Sequence, residues 1–331
     1  MRKELINYLC CLSCKEELVL IANNSNNDEI FSGSLQCKAC KKIYSVLNGV
    51  PIFIDEDLSY KKKLTAQNFG YSWKRFSKAN KDYYYKQFFD WINPINKDFL
   101  KRKLVLDAGC GKGHHLKMIS EFITEGIGVD ISDSVFVAYN NTKDLKNIHI
   151  IQADLNNLPL KDEVFDYIYS VGVIHHTDTP DLTTKNLYKK VKKNGSISIW
   201  VYGKENNQWI IFFIDPIRKF ITRYFHPRII YLLSILLTLI LYPILKLIYL
   251  PLKKNEFLTP FRKKIFYYPY FSYISTFDFG EINNIIFDHL VAPTSHYLSK
   301  EEITKIGKLN NLTPQVSWHN ENSWRIHISK N

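Results

Sequence analysis

Three groups of residues in this 331-residue chain have types and spacings that can do chemistry. In Lys103–Asp130, KLVLDAGCGKGHHLKMISEFITEGIGVD, Asp107 precedes Gly109, Gly111 and Gly113, and Asp130 closes the stretch. Glycines at a strand-to-helix turn let backbone N–H groups approach a ligand, because no Cβ intervenes. An acid about 20 residues beyond the first glycine can take both hydroxyls of a ribose, so a nucleoside-type cofactor is indicated. The second group is C-x-x-C…C-x-x-C: Cys11, Cys14, Cys37 and Cys40. In a reducing compartment that pattern means zinc far more often than disulfides, and two tight knuckles supply the tetrahedral thiolates that structural zinc requires. Cys10 could stand in for Cys11. The third group is His175-His176, whose unperturbed pKa of about 6.5 suits proton transfer.

The flanking sequence shows what must position them. Leu104–Leu106 reads as a buried parallel strand, followed by a helix carrying Leu116, Met118, Ile119, Phe122 and Ile123. Gly126–Val129 is a second strand ending in Asp130. A helix over Ser134–Asn140 leads to a third, Ile148–Gln152, ending in Ala153-Asp154. The fourth runs through Phe165–Ser170 to Val171–Thr177, Asn194-Gly195 is a turn, and Ser196–Tyr202 is the fifth. Such alternation implies a doubly wound, Rossmann-like α/β sheet with ligands at the carboxyl ends of its strands. Asp107, Asp130, Asp154, His175 and His176 all fall at such ends.

The glycine spacing narrows the cofactor. A dinucleotide fingerprint would put its third glycine at His114, and the G-K-[ST] of a triphosphate loop is missing because Lys112 precedes Gly113. VLDAGCGKG closely resembles the first motif of class I S-adenosylmethionine-dependent methyltransferases, of the type 11 kind. Leu158-Pro159-Leu160 and Phe165–Ser170 resemble the same family's later motifs. The resemblance covers residues 103–202 well, and the closing strands Gln315–His319 and Trp324–Ser329 more weakly. It implies a seven-stranded sheet, S-adenosylmethionine as cofactor, and Asp154 accepting a hydrogen bond from the adenine amino group. It also implies Ile131, Leu155 and Val171 as cofactor neighbours. Residues 1–60, through Tyr44–Ile54, resemble the small zinc ribbons that activate tRNA and protein methyltransferases, where the metal is structural.

A sulfonium methyl is already activated, so the protein must hold a nucleophile in line and exclude water. For a hydroxyl acceptor His176 is the candidate base and His175 the second choice. Tyr202, Tyr297 and His296 fall on the acceptor side.

Lys and Arg exceed Asp and Glu by 44 − 32 = 12, which favours an anionic partner. Residues 204–264 carry eleven Lys/Arg against three acids, in the most apolar part of the chain. Trp209–Phe225 and Ile229–Leu252 are apolar runs split by His226-Pro227. The 17 uncharged residues Ile229–Leu245 would span roughly 25 Å as a helix, against about 30 Å of bilayer core. Flanking strands must join one sheet, and both flanks are basic (Arg218, Lys219, Arg223, Arg228; Lys253, Lys254, Arg262, Lys263, Lys264). Both flanks therefore stay on the cytoplasmic side, leaving a helical hairpin that dips into one leaflet, lies in the interface, or forms a lid.

The expected organisation is a zinc ribbon over 1–60 and a linker with helical cap over 61–100, with Lys61–Lys63 as linker and Asn23–Asp28 as a polar loop. Phe69, Trp73 and Phe76 share one helical face of that cap. A cofactor-binding domain takes 101–203 and 265–331, and the insertion takes 204–264. Ribbon and sheet are expected to have separate cores. No apolar run of signal-peptide length opens the chain, which points to the cytoplasm. The expected function is methyl transfer to a small, lipidic or lipid-linked acceptor, such as a quinone precursor or a carried glycan, at the cytoplasmic membrane surface. An RNA acceptor is the first alternative; a non-catalytic partner-binding scaffold is the second.

Overall fold

The computed structural model describes residues 1–26, 29–54, 58–76, 82–262, 264–308 and 314–331. Asn27 and Asp28 of the expected polar loop and Lys263 of the basic flank lie outside them. The first four strands are β1 (Leu18–Asn26), β2 (Glu29–Cys37), β3 (Ile43–Leu47) and β4 (Val50–Phe53). Then come β5 (Leu104–Ala108), β6 (Glu125–Asp130), β7 (Ile148–Ala153), β8 (Phe165–Val171), β9 (Val191–Tyr202), β10 (Gln315–His319) and β11 (Ser323–Ser329). All eleven belong to one sheet, ordered β1-β2-β3-β4-β7-β6-β5-β8-β9-β11-β10. The run from β7 to β10 is the seven-stranded α/β sheet expected. Strands β5 to β9 pair in parallel, and the closing hairpin adds antiparallel to β9.

Alternation along the strands sorts the core into two layers. Val105, Ile148, Ile150, Tyr167 and Tyr169 face helices α2 (Asp82–Trp91), α4 (His114–Ile119) and α5 (Ser134–Thr142). Leu106, Ile127, Ile151, Ile168 and Ile197 face the other way, toward Leu187 of α6 (Pro180–Lys190) and Ile303 of α13 (Lys300–Lys308). Leu9, Cys11, Leu35, Val46 and Phe53 of the N-terminal segment join this second layer.

Ribbon and sheet therefore share a core, against expectation. The physical reason is an open edge: β7 needs a partner, and β4 supplies it in parallel register, Ile52 beside Gln152 and Phe53 beside Ala153. Three further local differences follow from hydrogen bonding. Asn23–Asn26 complete β1, paired with β2, so they are not loop. Lys61–Lys63 are the first turn of α1 (Tyr60–Arg75), capped by the Ser59 hydroxyl, so they are not linker. The fourth strand stops at Val171, because Gly172 turns the backbone to φ +74° and His175-His176 fall in a 3₁₀ turn.

The insertion is not a symmetric hairpin. Its first run makes a π turn (Ile210–Ile214), α7 (Asp215–Phe220) and a 3₁₀ turn (Thr222–Tyr224). Its second is one 28-residue helix, Pro227–Lys254, which lies on α11 (Tyr268–Ile274) and α12 (Phe279–Val291).

Candidate functional site

A cavity of about 260 Å³ opens at the carboxyl ends of β5, β6, β7 and β8. Gly109 and Gly111 form one wall, and each needs to be glycine. Gly109 has φ +96° and an added Cβ would stand 2.3 Å from Val173; Gly111 has φ +51° and an added Cβ would strike Trp73. Gly113, at φ +72°, does not line the cavity; its bare Cα lets α4 lie against Ala138 of α5.

Asp130 lines the cavity with its carboxylate already oriented. Oδ2 accepts from the Gly111 N–H at 3.0 Å, and Oδ1 accepts from the Ser132 N–H and hydroxyl at 2.9 and 2.7 Å. Burial pushes its pKa up, against these bonds. Ile131, Leu155 and Val171 also line the cavity, as does Asp154, whose Oδ2 pairs with Lys62 of α1 at 2.5 Å. Asp107 stands behind the loop. It is buried, accepts from the Tyr169 hydroxyl at 2.9 Å, and is pushed up to about 8 by burial.

The lining is rich in aromatic rings: Phe69 and Trp73 of α1, with Trp73 against Gly111, Trp91 of α2, Trp200 and Tyr202 of β9, and Tyr273 of α11. His176 lines the cavity with a defined tautomer. Its Nδ1–H donates to the Thr294 carbonyl at 2.7 Å, which leaves Nε2 as an acceptor. Burial lowers its pKa to about 3, so the ring is neutral at pH 7. His175 does not line the cavity; it is fully buried, with its ring 4.2 Å from that of Tyr202. Tyr297 stacks on Tyr202 from behind and His296 gives its backbone N–H to the His175 carbonyl; neither reaches the cavity.

Helix α12 supplies residues that the sequence reading passed over. Glu281, Asn284 and Asp288 follow at i, i+3 and i+7 and line the cavity together. Glu281 accepts from the Tyr84 hydroxyl, and Asp288 from the Ser72 hydroxyl at 3.1 Å. Burial raises Asp288 to about 7. A polar stripe at helical spacing on an otherwise apolar helix was the available signal. None of the described residues between 203 and 269 lines the cavity, so the insertion is not its lid.

At the far end of the sheet the four cysteine sulfurs lie within 4.8 Å of one another. Cys11 and Cys40 are 3.5 Å apart, and Cys14 and Cys37 are 3.4 Å apart. The cluster contains Cys11 and not Cys10, which resolves the ambiguity in the sequence. Four thiols at this spacing fit one tetrahedral metal ion.

Residues 106–199 match the family model described as "Methyltransferase domain". Curated relatives include the tRNA U34 carboxymethyltransferases of Cellvibrio japonicus and Pseudoalteromonas atlantica. The first is 29% identical over 116 residues, 33% of this chain and 36% of the relative. The second is 30% identical over 114 residues, 32% of this chain and 35% of the relative. The chain thus spans about a third of the length of these relatives. Among solved structures, a SAM-dependent methyltransferase from Aquifex aeolicus is 14% identical with a TM-score of 0.43, over 79% of this chain and 98% of that one.

Proposed function

We propose that this chain, whose residues 106–199 are a methyltransferase domain of the class I S-adenosylmethionine-dependent kind, transfers a methyl group to a small, apolar or lipid-linked acceptor. The observation behind the acceptor class is the cavity itself: the glycine loop, Asp130 and Asp154 at the strand ends, and a lining rich in aromatic rings that also takes in Glu281, Asn284 and Asp288 of α12. Backbone N–H groups of the glycine loop and the pre-oriented Asp130 would hold the aminoacyl and ribose parts of the cofactor. Asp154 would take the adenine amino group, exchanging its bond to Lys62. Ile131, Leu155 and Val171 would close around the adenosine. The cofactor supplies an activated methyl on a sulfonium.

The remaining chemistry belongs to the chain. Trp73, lying over Gly111, excludes water from the loop. His176 presents Nε2 to the acceptor and orients its hydroxyl. Asp288, raised to about 7, is matched to receive the proton near neutral pH. On this reading Asp288 is the stronger base and His176 the orienting acceptor. The four cysteines would hold one zinc ion whose part is structural.

A second reading, an RNA acceptor, is favoured by a specific observation: the relatives are named as tRNA-modifying enzymes. Their similarity covers about a third of this chain; beside the cavity Lys112 lies over the rings of Trp73 and Tyr84, a pairing of basic and aromatic groups that suits single-stranded nucleic acid as well. A lipidic acceptor places the protein at the cytoplasmic membrane face. The test is incubation with methyl-labelled S-adenosylmethionine and, separately, lipid extract and total tRNA from cells lacking the protein. Label in the lipid fraction supports the leading reading. Label in tRNA alone replaces it with the second, and label in neither defeats methyl transfer to both acceptor classes.

A further inference from the structure

We propose that helix Pro227–Lys254 seats lengthwise on an anionic lipid surface, its axis in the membrane plane, entering one leaflet and crossing none. The docking surface stands whether or not the acceptor is a lipid. Two faces of the helix make the case. Ile230, Ser234, Thr238, Leu245 and Tyr249 are buried against the soluble fold. Leu232, Leu236, Leu239, Ile240 and Leu247 are 57–76% exposed. Only 22% of the most apolar 18-residue window is buried, at a mean hydropathy of 2.2. The first run widens the open face with Phe212, Phe213 and Phe220, each 69–75% exposed. An exposed apolar area this large marks a binding surface.

Polar anchors fix the helix along its length. Ser234 and Thr238 donate to Asn283 of α12 at 2.8 and 3.2 Å. Lys246 donates to the Ser275 and Phe277 carbonyls, and Tyr249 to the Phe266 carbonyl. Contacts from Ile230 to Tyr249 take up roughly 28 Å of helix, so no free length remains to cross a core of about 30 Å. Both flanks also return to one sheet, through β9 before and β11 after.

Charge complementarity selects the occupant. Lys219, Arg223 and Arg228 near one end of the helix, and Lys253, Lys254 and Lys264 near the other, are exposed. Of the three acids in the insertion, Asp215 is buried and bonded to Arg218 and Lys219. A basic rim around an apolar face fits anionic headgroups above acyl chains. A second copy of the chain, docked through the same face, would set this rim against itself.

The experiment is sedimentation of the full-length protein with vesicles of phosphatidylcholine alone or mixed with phosphatidylglycerol, with S-adenosylmethionine calorimetry as an independent check of fold. Wild type should sediment with the mixed vesicles, at least tenfold more than with phosphatidylcholine alone. High salt should release part of it, and alkaline carbonate all of it. Leu236→Asp/Leu239→Asp should remain in the supernatant. Lys253→Glu/Lys254→Glu, confined to exposed positions, should lose the preference for anionic vesicles, and decides the matter should the aspartate pair misfold. Wild type indifferent to both vesicles overturns the proposal. So does resistance to carbonate, which means a crossing, and so does a lipid-free dimer dissolved by the aspartates, which means self-association.

Discussion

The chain carries two additions to its seven-stranded α/β sheet, and they treat apolar residues in opposite ways. The ribbon leaves Val19, Ile21, Ile43 and Leu47 exposed but inserts Leu9, Leu35, Val46 and Phe53 into the same core as Leu106 and Ile127. The insertion, far more apolar, keeps Leu236, Ile240 and Leu247 in the open. Burial on folding stabilises the first by roughly 1.5–3 kcal/mol per large side chain; the second gains nothing from its open face until a partner covers it. Apolar content alone does not separate scaffold from interface. Which side of the sheet's own hydrogen bonding a segment satisfies does: β4 completes an edge, whereas Pro227–Lys254 leans on α12 and completes none.

The largest effect that could break this comparison is metal removal. Cys37→Ser/Cys40→Ser, or a strong chelator, should abolish cooperative folding of ribbon and sheet together, since the metal would supply on the order of 10 kcal/mol. Calorimetry should give one transition in the intact protein; a ribbon that melts alone and leaves the sheet folded would restore two cores. Next, Leu35→Ala should cost about 2–5 kcal/mol in denaturant unfolding and shift the sheet's own transition, although Leu35 lies in the ribbon.

Acid gives a smaller, signed effect. His114, His115, His149, His175, His176 and His289 have pKa values lowered by burial, four of them to about 3 or 4. Their contribution is present above the unfolded pKa of about 6.5 and is lost as pH falls below it. Asp107, Asp130 and Asp288, raised by burial, act oppositely: they favour the fold at low pH and lose that contribution as pH rises, Asp288 toward about 7 and Asp107 toward about 8. Six groups outweigh three, so Tm should fall between pH 6.5 and 5. A rise over that interval would mean that the buried carboxyls dominate. Smallest of all, Leu236→Asp/Leu239→Asp should change unfolding free energy by no more than about 0.5 kcal/mol per site, as surface substitutions do. A loss of several kcal/mol would show that the open face is core after all.

How much of this was legible in the sequence depended on range. The glycine loop, Asp130 and the paired cysteines are local patterns; Gly109, Gly111 and Asp130 line one cavity, Gly113 does not, and the four cysteine sulfurs cluster. The apolar excess of 204–264 was likewise visible as composition. The docking of β4 on β7 was not, because parallel pairing across about a hundred residues leaves no local periodicity. Asp288 was hidden differently: in FGEINNIIFDHLV a cavity-facing acid and a solvent-facing one read alike until the helix has neighbours. His175 and His176 sat side by side in sequence, and only the turn after Gly172 separates the one that reaches the cavity from the one that does not.

The central claim is that the Gly109–Gly111 loop and Asp130 form a site for S-adenosylmethionine, and isothermal calorimetry with that compound tests it most directly. Binding should be measurable in the wild type, weakened at least tenfold in Asp130→Ala, and lost in Gly109→Val, whose side chain would collide with Val173. Absence of binding in the wild type, a preference for NAD, or affinity unchanged in both variants would contradict the account.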